Sequence, residues 1–101
     1  MTMPIRYFYR KEVEDNIERI FTVAYTHDIE TGLTQYGGAV FRHAVGDNRE
    51  TFRKGPHRET AARRLQVRPV SLIIKRDNFS DVESSIRQSI REVGVSGKRN
   101  K

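Results

Sequence analysis

The sequence contains no cysteine. That excludes a disulfide framework and a thiolate zinc site, and it suits a cytoplasmic protein. No apolar run approaches the roughly 20 residues a membrane span needs. Met1–Lys11 has no continuous apolar run of signal-peptide length. Internal repeats and low-complexity segments are missing too. A phosphate loop is also excluded: Gly94-Val95-Ser96-Gly97-Lys98 follows a predicted helix and has no helix after it, whereas such a loop needs a strand before and a helix after.

The 101 residues suit one domain, taken as residues 1–96, with Gly97–Lys101 as a basic tail. Charged residues, at 32%, nearly match the 36% that are hydrophobic. The apolar residues are nonetheless patterned, so the chain is read as folded. The charge is concentrated. Arg49–Arg76 holds nine cationic and two acidic side chains, a net of +7, against +6 for the whole chain. A positive field so localised attracts a polyanion or an acidic protein surface.

Alternation from Ile5 to Arg10 predicts a strand. The acidic patch Glu12, Glu14, Asp15 and Glu18 fits either a loop or a short helix, since Val13, Ile17 and Ile20 have helical spacing. Ile20–His27 reads as a strand, Asp28–Gly32 as a turn and Leu33–His43 as the returning strand. Gly37-Gly38 inside that strand predicts a bulge in preference to a close backbone approach. After a turn at Val45–Asn48, Arg49–Lys54 fits a short charged edge strand around Phe52. Gly55-Pro56 predicts a helix start, with the helix running to Gln66 and Ala61, Ala62 and Leu65 as its narrow apolar stripe. Val70–Lys75 is β-branched and apolar, as in an inner strand. Ser80-Asp81-Val82-Glu83 matches a capping box, Val82, Ile86, Ile90 and Val93 recur at helical spacing, and Gly94 ends the helix. The expected fold is therefore α+β: one mostly antiparallel sheet of three to five strands with two helices on one face, in the order β-β-β-(β)-α-β-α.

The candidate binding residues are Arg49, Arg53, Lys54, Arg58, Arg63, Arg64 and Arg68. Arginine suits phosphate because its planar fork stays charged and donates in pairs. The helix start at Pro56 adds backbone donors. A solvated helix face, ion-paired to the acidic patch at Glu12–Glu18, is the competing explanation. Tyr7, Phe8, Tyr9, Tyr25 and Tyr36 could stack bases, but core packing has first claim on them. His27-Asp28, His43 with Asp47, and His57 with Glu59 lack the spacing of a metal or acid–base site. No catalytic residue, metal ligand or cofactor is assigned.

Two family resemblances attach to short stretches. Arg53-Lys54-Gly55 through Ala61-Ala62-Arg63-Arg64-Leu65 resembles the final helix of double-stranded-RNA-binding domains, where a basic helix start meets phosphates and an Ala-Ala pair packs on a sheet. The likeness covers about a tenth of the chain, with Pro56-His57 in place of that family's paired lysines. The order of elements is separately similar to a shortened ribonuclease-H-like fold, which implies roles for Glu59 and Asp77 near two family acids. The acid that family carries in its first strand is missing from Phe21–Tyr25.

The expected function is a non-enzymatic module that docks nucleic acid, or another polyanion, through Arg49–Arg76. One alternative is a small accessory or inhibitor protein, of viral or mobile-element type, that grips an acidic surface of a larger protein. Another is a magnesium-dependent nuclease using Asp28, Glu59 and Asp77. No membrane partner is expected. An exposed edge strand at Tyr7 or Phe52 could pair two copies.

Overall fold

The computed structural model describes residues 4–46 and 54–95. The short strand expected at Arg49–Lys54 and the basic tail lie outside the described residues, apart from Lys54. The order is β1 (Arg6–Glu14), β2 (Ile17–His27), β3 (Leu33–Ala44), α1 (Lys54–Val67), β4 (Val70–Ile73) and α2 (Phe79–Val93). The four strands form one sheet in the order β1-β2-β3-β4, antiparallel throughout. The expected class and element order are both present.

The acidic patch is neither loop nor helix. Asp15 and Asn16 take positive φ values of 53° and 61°, so β1 and β2 are joined by two left-handed residues. Asp and Asn tolerate that region, and such a turn matches the twist of a hairpin. The ladder then runs without a break from Arg6↔Tyr25 to Glu14↔Ile17. The second hairpin turns where expected. Asp28 Oδ1 accepts from the Glu30 amide at 2.9 Å, and Gly32 takes φ 81°.

The helices lie on opposite faces of the sheet, not on one. The reason is visible at consecutive residues, since neighbours along a strand point to opposite sides. Phe8, Val23, Tyr25 and Tyr36 pack with Val82 and Ile86 of α2. Ala24, with Tyr7 against it, packs with Ala61 and Leu65 of α1. β2 is consequently buried on both sides.

Gly37 and Gly38 form no bulge; they continue the register, opposite Ala24 and Val23. They are small because the chain closes on them from both faces, the α1 backbone over Gly37 and the Val95 side chain over Gly38. A Cβ on Gly37 would sit 2.3 Å from the Leu65 amide nitrogen, and one on Gly38 would sit 3.0 Å from the Val95 Cβ. β4 is a four-residue edge strand, not an inner one, because it pairs only with the first part of β3. The N-cap of α2 is Asn78, whose side chain accepts from the Ser80 amide at 2.8 Å. Glu83 is therefore free for another bond: it accepts from the Tyr25 hydroxyl at 2.7 Å. Burial and that carboxylate push the Tyr25 phenol pKa well up. Gly94 closes α2 with φ 92° and its amide on the Ile90 carbonyl at 2.9 Å. Ser89 is buried on the stripe, hydrogen-bonded to the Tyr36 hydroxyl at 2.8 Å, while Val93 is exposed.

Candidate nucleic-acid interface

α1 owes its position to small residues. It has almost no apolar face, and among its described side chains only Ala61 and Leu65 are buried against the sheet. Gly37 lets the helix backbone come down onto β3 at that point. The helical repeat then sends Arg58 to the β1 flank, Arg64, His57 and Thr60 to the β3 flank, and Arg63 outward.

Each flank holds its arginine by something other than a carboxylate. Arg58 lies 5.3 Å from the Tyr7 ring centre and 5.8 Å from that of Tyr9, and its Nε donates to the Tyr9 hydroxyl. The stem covers aromatic surface while the head stays at the exterior. On the other flank Arg64 Nη1 donates to the Gly38 carbonyl at 2.6 Å. That bond satisfies an outward-facing group of β3 where β4 no longer covers it. Between β3 and α1 lies an open groove of about 480 Å³, lined by Ala39, Val40, Arg42, His57, Thr60 and Arg64.

Of the seven residues expected to bind, Arg58, Arg63, Arg64 and Arg68 all stand on or just after α1, though on different flanks. Lys54 begins α1; its side chain lies outside the described residues, as do Arg49 and Arg53. Arg42 and His57 join the groove unannounced. Arg42 is a strand residue outside the basic segment; its position in β3, opposite Arg19, is on the α2 face, and it lines the groove along the open edge of that strand. Lys75 and Arg76 belong elsewhere, at the far end of β4.

The charges of the first hairpin behave differently. Arg10 meets Glu12 at 2.9 Å, Lys11 meets Glu18 at 3.5 Å, Arg19 meets Glu14 at 3.7 Å and His43 meets Glu18 at 3.2 Å. Burial pushes the Glu18 carboxyl up, but the His43 imidazole and Lys11 ammonium more than offset it, leaving the group below its ordinary value. Glu12, Glu14 and Glu18 are thus engaged by basic side chains of β1, β2 and β3, while Asp15 stays exposed at the turn. Among the described residues, no carboxylate lies within ion-pair distance of Arg42, Arg58, Arg63, Arg64 or Arg68. A second basic groove, of about 460 Å³, lies on the α2 side with Arg10, Arg87 and Arg91. Two of its three cations are occupied: Arg10 by Glu12, and Arg87 by Glu83 at 4.0 Å and the face of Phe8.

The histidine and acid candidates do not converge. His27 is buried, bonded to the Thr34 hydroxyl at 2.7 Å and the Arg76 carbonyl at 2.8 Å. Asp28 organises its own turn, Glu59 is on α1, and Asp77 precedes α2 on the opposite side of the sheet. Among the described residues no three His, Asp or Glu side chains gather to hold a metal ion, and no helix is long and apolar enough to cross a membrane.

Fold and site together define a class: an α+β module with a basic helix laid on one face of an antiparallel sheet. No protein-family model, curated protein or solved structure matches the chain.

Proposed function

We propose that the chain is a non-enzymatic docking module that holds nucleic acid on the α1 side of its sheet. Phosphates are taken by Arg58, Arg63, Arg64 and Arg68, with Arg42 and His57 lining the groove beside them. The observation that carries this is the unequal pairing of charge. The β1–β2 acids are engaged near their own hairpin, while the α1 arginines have no carboxylate partner among the described residues. Unpaired guanidinium groups on a common layer make a field that phosphate can neutralise.

Arg58 and Arg64 are also held in place before any ligand arrives, by the tyrosine rings and by the Gly38 carbonyl. Each uses one donor this way and keeps others to offer, so less side-chain entropy is lost on binding. A cytoplasmic setting belongs to the same reading, supported by the cysteine-free sequence.

Retention on immobilised DNA and RNA at two salt concentrations tests the proposal. Binding should be firm near ~50 mM salt and fall steeply at higher salt as counterions compete. No retention at the lower salt sinks it. A protein partner that survives nuclease treatment, in place of nucleic acid, turns the same cations toward an acidic protein surface.

A further inference from the structure

The sheet has two edges, and they are built in opposite ways. The outer edge of β1 carries Arg6, Arg10, Lys11, Glu12 and Glu14, the kind of charge that blocks strand-to-strand pairing. β4, Val70-Ser71-Leu72-Ile73, has no charged residue at all. The Ile74 amide donates to the Gly32 carbonyl, which fixes the alternation: even-numbered residues of β4 point their backbone groups to β3, and Ser71 and Ile73 point theirs outward. Those outward groups have no partner among the described residues. Beside them Ile73 is 64% exposed and its cross-strand neighbour Leu33 38% exposed. On the other face an open groove of about 550 Å³ separates β4 from the flank of α2.

We propose that the β4 edge is a homodimer interface, in which two copies pair β4 with β4 antiparallel across a two-fold axis and merge their sheets. Outward groups bond only to outward groups, and the register that uses both on each strand sets Ser71 of one copy against Ile73 of the other, with the two Leu72 residues meeting on the axis. One opposite-charge contact follows from this arrangement, although the same register also sets Arg76 of one copy opposite Arg68 of the other. The C-terminal end of α2 lies over the Val70 end of β4, because Tyr36 pairs with Val70 and bonds both Ser89 and the Gly94 carbonyl. Glu92 lines the groove there. Antiparallel pairing sends the second copy's Arg76 toward that same end, and symmetry repeats the match. The remaining open stretch of β3, at Val40 and Arg42, does not suit a second copy, since Arg42, His57 and Arg64 would face their own kind.

A two-fold axis perpendicular to the sheet keeps both α1 helices on one side. The dimer would therefore present two basic layers together. The association itself does not rest on the nucleic-acid reading, and it is measured without nucleic acid.

Light scattering behind size exclusion, over an about hundredfold concentration range, reads the association directly. The mass of the wild type should climb from monomer toward dimer. Ile73→Lys changes an exposed side chain, so the fold should hold, checked by circular dichroism, while association weakens by about tenfold or more. Val13→Lys, on the guarded β1 edge, should associate as the wild type does. A wild-type mass that stays monomeric throughout overturns the proposal. So does an Ile73→Lys variant that dimerises normally, or a dimer lost in Val13→Lys instead.

Discussion

The two helices occupy opposite faces of one sheet and are held there by different means. α2 buries Val82 and Ile86 among Phe8, Val23, Tyr25 and Tyr36, so its attachment is a matter of apolar area. α1 buries Ala61 and Leu65 over Ala24, and its attachment depends on how closely a helix can approach a glycine. The difference shows what each helix is available for. α2 is committed to the core along its apolar stripe. α1 gives up little surface to the core and keeps most of its circumference, with its arginines, at the exterior.

Substitutions on the two faces should break this contrast in distinct ways. Ile86→Ala empties a fully buried site on the α2 side, and chemical denaturation should show a loss of about 3–4 kcal/mol. Gly37→Ala drives a methyl group into the α1 backbone, costing about 2–3 kcal/mol, and it should also weaken nucleic-acid binding by displacing Arg58 and Arg64. Ile86→Ala should leave the binding of the remaining folded molecules unchanged. Removing the α2 cap with Asn78→Ala should cost about 1 kcal/mol.

The smallest effect concerns pH. Glu18 has a depressed pKa, so its contribution is complete above the ordinary value of 4.5 and is lost as pH falls through the depressed one. Stability measured below about pH 4.5 should therefore decline less steeply in Glu18→Gln than in the wild type.

Much of this organisation was legible in the residues, and the parts that were not have physical causes. Periodicity located β2, β3 and α2, and the charge count singled out α1, because both are local properties. The hairpin at Asp15-Asn16 was obscured by the helical spacing of Val13, Ile17 and Ile20; the strand alternation that wins is visible only once β2 supplies the partner. Gly37-Gly38 could mean a bulge or a close approach, and only the arrival of α1 and Val95 decides between them. The face on which a helix lands is a tertiary choice: two helices were expected on one face, yet Thr22 and Ala24, on the face opposite Val23 and Tyr25, are fully buried as well. At the candidate site the arginines of α1 were evident, whereas Arg42 meets the groove only because β4 leaves that part of the β3 edge uncovered. The neutralisation of the acidic patch within its own surroundings was a question of register, which the sequence left open.

The most direct measurement compares two equal removals of charge: Arg63→Ala with Arg68→Ala on the α1 layer, against Arg10→Ala with Arg19→Ala in the ion-paired hairpin. Both double variants lose two positive charges, and for each the affinity for duplex DNA is followed against salt. The α1 variant should reduce the log–log slope by about 1.8, as expected for two lost phosphate contacts. The hairpin variant should keep the slope of the wild type. Equal losses in both, or a loss confined to the hairpin, would contradict the claim that the unpaired arginines of α1 form the binding surface.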